Sequence, residues 1–355
     1  MPDDNDHHVR PGGACPVPLL DHQQIVLAHG SGGKLTQDLI EKIFLPNFRN
    51  DYLAQLNDQA VLDLNGSRLA FTTDSFVVTP IFFPGGDIGR LAINGTVNDL
   101  AMSGAVPRFI AAAFILEEGL AADDLVRVVE SMRQAAAAAG VLLVTGDTKV
   151  VNRGKGDQIF ITTTGLGVLD PSVEISADRA RPGDQILLSG TIGDHGMAIM
   201  SRREGLEFEG PVESDTAALH TLVAAMLEAS PQIHCLRDPT RGGVATTLNE
   251  IASRSGVGME IDGRTIPVHE SVRGACEILG LDPLYVANEG KLVAIVAPEA
   301  ADAVLDQMRS HPLGGDACRI GEVVAAHPRR VLVKTEIGGS RVLEVMLGEP
   351  LPRIC

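Results

Sequence analysis

The sequence predicts an α+β fold in two halves. The N-terminal half is expected to carry a mixed or antiparallel sheet with helices on one face, and the C-terminal half to be α/β and to end in an extended tail. Three observations predict this. Apolar segments at strand and helix spacing follow one another without the regular βαβ alternation of a doubly wound sheet. The 355 residues are enough for two cores, and 45% hydrophobic content with 38 glycines, 3% aromatics and no tryptophan suits many tight turns between Ala, Val, Leu and Ile elements. A polar stretch from Asp170 to Gly183 separates the two runs of elements. The expected divisions are 1–24, a disordered extension; 25–169, the N-terminal sheet domain; 170–347, the α/β domain; and 348–355, the flexible tail.

Taken in order, His29-Gly30-Ser31-Gly32-Gly33 is a glycine-rich turn entering a helix over Lys34 to Leu45, where Leu35, Leu39, Ile40 and Ile43 recur at helical spacing. The turn fails the Walker A template, because Ala28 stands at the first glycine position and Leu35 follows the lysine. A strand is expected over Leu69 to Thr79, a helix over Asp87 to Ser103, a strand over Phe109 to Leu116 and a helix over Ala122 to Ala139, with Asp123 and Asp124 at its positive end. A strand over Val141 to Thr145, a turn at Gly146-Asp147-Thr148-Lys149 and a strand over Gln158 to Gly165 close this half. Beyond the linker come a strand at Gln185 to Leu188, the turn Ser189-Gly190-Thr191-Ile192-Gly193-Asp194 and helices near 194–203, 215–229 and 243–253. Strands return near 257–262, 292–297, 318–324, 330–335 and 341–347.

A net charge of −17 and a pI near 4.9 argue against nucleic acid or an anionic membrane as the main partner. The longest apolar run, Ala135 to Val144, contains Gly140 and falls short of the roughly 20 residues that cross a bilayer. The acidic, Pro- and Gly-bearing N-terminus does not resemble a signal peptide, so a cytoplasmic location is expected. Cys15, Cys235, Cys276, Cys318 and Cys355 are scattered without CxxC spacing and support neither a disulfide framework nor a zinc cage.

Two features point to chemistry. The tail Pro350-Leu351-Pro352-Arg353-Ile354-Cys355 is held extended by its prolines and presents a thiol that could serve as a covalent carrier, although the residues alone leave open a frayed tail with a chance cysteine. Asp58, Asp74, Asp99 and Asp147 each interrupt or end an apolar segment. Singly, each reads as well or better as a cap or turn residue; as a set, beside a glycine-rich turn, they favour a magnesium-nucleotide site. Lys149 and Glu289 read singly as surface charges, and spacing does not show that they meet.

These residues carry a resemblance. The glycine-rich turn, Thr73-Asp74-Ser75, Phe82-Phe83-Pro84-Gly85-Gly86, Asn98-Asp99-Leu100-Ala101, Thr145-Gly146-Asp147-Thr148-Lys149, Ser189 through Gly196, Thr240-Arg241-Gly242-Gly243, Ala287-Asn288-Glu289-Gly290-Lys291 and Pro352-Arg353-Ile354-Cys355 closely resemble the NiFe-hydrogenase maturation factors of the HypE family. The resemblance covers nearly everything from Ile25 onward. It implies a fold like aminoimidazole ribonucleotide synthase (PurM-like), a homodimer, and ATP bound by Gly30, Ser31, Gly32, Gly33, Asp58, Asp74, Asp99 and Asp147. It further implies Mg²⁺ held by Asp58, Asp74, Asp99 and Asp238, and Lys149 and Glu289 as proton-handling groups. The implied reaction dehydrates an S-carbamoylated Cys355 to a thiocyanate, with a HypF-like carbamoyltransferase and a HypC-HypD-like iron scaffold as partners. The rival readings are selenophosphate synthetase, whose glycine-rich turn carries a sulfur or selenium absent from residues 29 to 34, another ATP-dependent PurM-like synthetase, and a scaffold that binds nucleotide without turnover.

Overall fold

The computed structural model describes residues 24–205, 212–335, 338–346 and 354–355. The expected extension up to residue 23 and the arm over 348–353 lie outside these described residues. The chain enters through a continuous helical stretch, α1 (Lys34–Leu39) and α2 (Leu45–Phe48) joined by a π-helical turn at Ile40–Phe44.

The first half is a five-stranded sheet built from β1 (Ala60–Leu64), β2 (Ser67–Phe76), β5 (Val106–Glu117), β6 (Leu142–Val151) and β7 (Ile159–Leu169), in the order β1-β2-β7-β5-β6. All pairs are antiparallel except β5 with β6, so the sheet is mixed. A two-stranded ribbon, β3 (Phe82–Phe83) with β4 (Gly86–Asp87), leads into α3 (Ile88–Ala101). Asp87 caps α3 by accepting from the Gly89 and Arg90 amides, and α4 (Ala122–Ala139) ends at Gly140 in the left-handed region, φ 67°. Both helices cover one face of the sheet, packing Leu91, Val97, Val128 and Met132 with Phe76, Ile110 and Ile161. The other face leaves Phe71, Phe109, Val144 and Val168 exposed.

The second half is a seven-stranded sheet of β8 (Gln185–Leu188), β9 (Ile233–Arg237), β10 (Gly258–Asp262), β11 (Val293–Val296), β12 (Cys318–Val324), β13 (Val331–Lys334) and β14 (Ser340–Leu343), in the order β14-β13-β10-β12-β8-β11-β9. Strand alternation sends Ile186, Leu188, Val293 and Ile295 toward α7 (Gly243–Ser255), and Leu187, Ala294 and Val296 toward α6 (His220–Ala229) and α9 (Ala301–Ser310). Helices thus lie on both faces, as an α/β half requires. Two further helices, α5 (Asp194–Glu204) and α8 (Glu270–Leu279), pack into the core shared with α3 and α4.

One expected turn is a strand. Gly146-Asp147-Thr148-Lys149 continues β6 in parallel register with Ala112 to Ile115, and a Cβ on Gly146 would lie 2.2 Å from the Ala112 carbonyl oxygen. The glycine serves close strand approach and not chain reversal.

Candidate active site between the two halves

Asp58, Asp74 and Asp99 come from the first half, and Asp238, Arg237, Arg241 and Glu289 from the second; with Gly32 and Cys355 they line one cavity of about 1040 Å³. Asp99 is placed by the penultimate residues of α3, and its neighbour Asn98 joins the halves. The Asn98 amide donates to the main-chain oxygens of Ala217, at 3.0 Å, and Glu289, at 3.3 Å, and its oxygen accepts from the Leu219 amide at 2.8 Å. The side chain beside the candidate ligand therefore also fixes the loop that carries Glu289.

The carboxylates crowd together in a site removed from bulk water. Burial raises Asp58 to about 6 against the pull of Arg237, and Asp238 to about 8 with Asp58 adding to the rise. Burial and the charges of Asp238, Asp74 and Asp58 lift Asp99 well above the carboxylate range. Glu289 is lifted by burial and by Asp238 and Asp215, with Arg241 opposing.

Thr72 Oγ1 lies 2.8 Å from the Asp58 main-chain oxygen and 2.8 Å from Asp99 Oδ2, and its hydrogen bond to Asp99 works against the rise there. Asp58 Oδ2 and Glu289 Oε1 are buried without a hydrogen-bond partner.

Spare hard-oxygen acceptors of this kind fit a cation such as Mg²⁺, which keeps several waters and bridges substrate phosphates. Among the described residues no three His, Cys, Asp or Glu side chains converge into a ready-made cage. The donors suit a cation shared with a ligand, through Asp58, Asp74, Asp99 and Asp238.

The glycine-rich turn is placed at the rim, with Gly32 the member that lines the cavity. Gly32 is at φ +76°, and a Cβ there would lie 2.9 Å from the Arg241 Cβ and main-chain oxygen. Its amide is taken by Thr36 Oγ1 at 3.0 Å, and the Gly33 amide points at Ser31 Oγ at 3.4 Å. In this arrangement the Gly32 and Gly33 amides are both directed within their own turn. The Gly30 main-chain oxygen accepts from Arg241 at 3.3 Å, and Ser31 Oγ donates to Ala28.

Cys355 is brought to the same cavity by the end of β2. The Val77 amide donates to its main-chain oxygen at 3.0 Å, and Ile354 forms an antiparallel bridge with Val78. Arg241, named in sequence only within the motif Thr240-Arg241-Gly242-Gly243 and given no role there, faces this group: the negative charge at Cys355 is the largest influence holding its guanidinium protonated, ahead of Asp74 and Glu289. Arg237, which no sequence reading singled out, lies 3.0 Å from Asp58 Oδ1.

Asp147 and Lys149 are not brought here within one chain. They stand on exposed β6, paired with each other at 3.1 Å, and the ammonium holds the Asp147 carboxyl below the usual range. The expectation of a desolvated lysine is not met in a single chain, since the Lys149 side chain is 70% exposed.

Residues 56–169 match the AIR synthase related protein N-terminal domain, and residues 181–334 its C-terminal domain. The carbamoyl dehydratase HypE of Azotobacter vinelandii is 59% identical over 336 residues, 95% of this chain and 98% of that protein. Among solved structures, a HypE-HypF complex superposes with a TM-score of 0.83 at 50% identity, covering 87% of this chain and 99% of that one. HypE in complex with ATP superposes with a TM-score of 0.79 at 53% identity, covering 94% of this chain and 100% of that one. No helix among the described residues is long and apolar enough to cross a membrane. With this identity along nearly its whole length, the chain belongs to the HypE family of carbamoyl dehydratases, built from two AIR synthase related domains.

Proposed function

We propose that the chain is a cytoplasmic, ATP-dependent carbamoyl dehydratase that converts its own S-carbamoylated Cys355 to a thiocyanate and so supplies cyanide ligands for a hydrogenase iron centre. The observation that carries this reading is the position of Cys355, which lines the same cavity as Asp58, Asp74, Asp99, Asp238 and Glu289.

A carbamoyl oxygen leaves poorly as hydroxide. In the proposed first step it attacks the γ-phosphorus of ATP, the bond to the bridging oxygen breaks to release ADP, and one N–H proton passes to a base. In the second, the carbon–oxygen bond breaks, phosphate leaves with the electron pair, and loss of the remaining N–H proton gives S–C≡N. Bound Mg²⁺ would supply charge neutralisation to the phosphates through the four aspartates. We assign Glu289, buried with one carboxyl oxygen that has no hydrogen-bond partner among the described residues, to take a proton in its ionised form. Arg241 offsets negative charge beside Cys355.

The exposed apolar sheet face, lined by Phe71, Phe109, Val144 and Leu166, supports a homodimer in which a second copy covers β6. Lys149 then leaves bulk water and becomes available for proton transfer, with Asp147 toward the nucleotide. In this reading 25–169 binds ATP and dimerises, 170–347 completes the cavity, and 348–355 is the arm. Partners are a HypF-like carbamoyltransferase, supported by the HypE-HypF relative, and a HypC-HypD-like iron scaffold.

The test is the intact mass of the C-terminal fragment after incubation with the carbamoyl donor system and ATP. A gain of one carbamoyl group on Cys355, followed by the ATP-dependent loss of one water, is expected. ATP bound without that loss of water would favour the scaffold reading and overturn this one.

A further inference from the structure

Two sequence motifs that the chemistry above does not use, Phe82–Gly86 and Ser189–Gly196, meet the terminal one at a single side chain. His195, in the first turn of α5, is fully buried, with Nδ1 2.8 Å from Ser214 Oγ and Nε2 2.6 Å from the Ile354 main-chain oxygen. The Phe83 ring meets the imidazole edge-on, with centroids 5.6 Å apart, and fixes its plane. Ser214 is delivered by the Phe82–Gly86 turn, where its amide donates to the Pro84 oxygen at 2.8 Å. Gly85 lies at φ +85°, and a Cβ there would be 2.7 Å from the Ser214 main-chain nitrogen and oxygen, so only glycine lets the two segments approach this closely.

The hydrogen bonds leave one protonation pattern. The Ile354 carbonyl can only accept, so Nε2 carries the proton. The Thr216 amide donates to Ser214 Oγ at 3.2 Å, and the Ser214 hydroxyl gives its own proton to Nδ1. The chain of donors therefore runs from Thr216 through Ser214 and His195 to the arm. Burial lowers the His195 pKa, which keeps the ring neutral at the positive end of its helix.

We infer that His195 is the positioning residue that reads the main chain of the docked arm, holding the Ile354 carbonyl through Nε2–H so that Cys355 lies in the cavity. The Phe82–Gly86 turn exists to seat Ser214 behind that ring. Ile354 adds a side chain that is 4% exposed in the core around Val78, Ile81 and Phe83, and Val77 holds the Cys355 main-chain oxygen. Recognition thus includes main-chain contacts at two successive residues and the buried side chain of Ile354. This deepens the proposed function, since a carrier cysteine has to be held while its cargo changes.

The experiment reads docking without turnover. The chain, free of ATP and carbamoyl donor, is alkylated with iodoacetamide, and the rate at Cys355 is followed by mass mapping of the C-terminal fragment against a synthetic peptide ending Pro-Arg-Ile-Cys. Protection of Cys355 relative to the peptide is expected. His195→Leu, which leaves the buried carbonyl without a donor, should raise the alkylation rate about tenfold. His195→Gln, whose amide nitrogen can take the place of Nε2, should restore protection.

A Leu variant as protected as the parent, a Gln variant as reactive as Leu, or a parent as reactive as the peptide would each overturn the inference. Buried Cys235 and Cys276 serve as internal controls of the fold. Should they become reactive in His195→Leu, Ser214→Ala decides, with faster alkylation expected and the parental rate overturning. Protection with no thiocyanate formed from the parent would sink the dehydratase reading alone, whereas thiocyanate formed at the parental rate by an unprotected His195→Leu would sink this one alone.

Discussion

The Arg237 guanidinium, at the end of β9 in the second half, lies 3.0 Å from Asp58 Oδ1 in the first half. It also lies 2.6 Å from Glu250 Oε2, so one buried cation ties both walls of the cavity. Without it Asp58 would stand among like charges with no compensating partner. Even with it, burial keeps Asp58 near 6. The site is thus built in electrostatic deficit, with more negative charge than its own cations neutralise, and a ligand that brings a cation removes the deficit.

The first prediction concerns Asp99. Asp99→Asn should weaken Mg-ATP binding about tenfold or more through loss of a charged oxygen donor. It should leave the ligand-free melting temperature unchanged or raised, because a carboxyl crowded by Asp238, Asp74 and Asp58 is replaced by a neutral isostere. Titration calorimetry that finds parental affinity removes Asp99 from the site.

Much of this architecture was legible in sequence, because α3 is a long apolar run that is buried nearly all round and α4 is a long amphipathic helix whose apolar face packs as expected. Two helices were missed although they carry a signal. In α8, Val272, Ala275, Cys276 and Leu279 recur at helical spacing, but the segment is only 10 residues long and follows a loop rich in polar residues. The Gly146–Lys149 segment was misread because Gly-Asp-Thr-Lys has turn composition, whereas its glycine answers to the neighbouring strand at Ala112. Within the site, the aspartates stood out as charges inside apolar runs. Arg237 and His195 did not, since their partners Asp58 and Ile354 lie far away along the chain, and no local pattern encodes such a pairing.

Stability should depend on pH in a way ordinary carboxylates do not produce. Asp58 at about 6 and Asp238 at about 8 are raised by burial above their unfolded value near 4. Between those limits the folded chain holds protons that the unfolded chain has released, so stability is greater at the acidic end and falls as pH rises toward 8. The ligand-free melting temperature should fall by several degrees from pH 5 to pH 8, and Asp238→Asn should flatten that slope. A melting temperature that rises across this window would show that these carboxyls are ionised in the folded state.

The two groups proposed to handle protons differ in setting, Glu289 being buried and Lys149 exposed in a single chain. Glu289→Ala and Lys149→Ala should each leave ATP binding largely in place and slow thiocyanate formation by about 10²- to 10⁴-fold, the usual range for a general acid or base. If both variants form thiocyanate at the parental rate in single-turnover mass measurements, the base lies elsewhere.

Lys149 also gives the proposed dimer a functional readout. Phe109→Glu places a charge on the exposed apolar face and should yield monomers by light scattering. If the partner copy is what takes Lys149 out of water, that monomer should bind ATP yet be slowed about as much as Lys149→Ala. A parental chain that scatters as a monomer at micromolar concentration, or a Phe109→Glu monomer with full activity, refutes the link.

Cys355→Ser is the sharpest of these tests because the hydrogen bonds that Val77 and His195 make to the chain end are to its main chain. Val77 holds the Cys355 main-chain oxygen, His195 holds Ile354, and serine occupies nearly the same volume. Fold, dimer, docking and ATP binding should all survive. Product formation should vanish, because the oxygen analogue cannot carry the thiocarbamate whose dehydration leaves sulfur bonded to cyanide. The negative charge at Cys355 is the largest support of the Arg241 guanidinium, so the variant also reports what holds that arginine. If Arg241→Ala weakens arm docking in the serine variant as much as in the parent, measured by hydrogen exchange at the Val77 amide, the main chain supplies that charge and the thiol does not. If it weakens docking only in the parent, the thiolate is itself the anion that Arg241 meets.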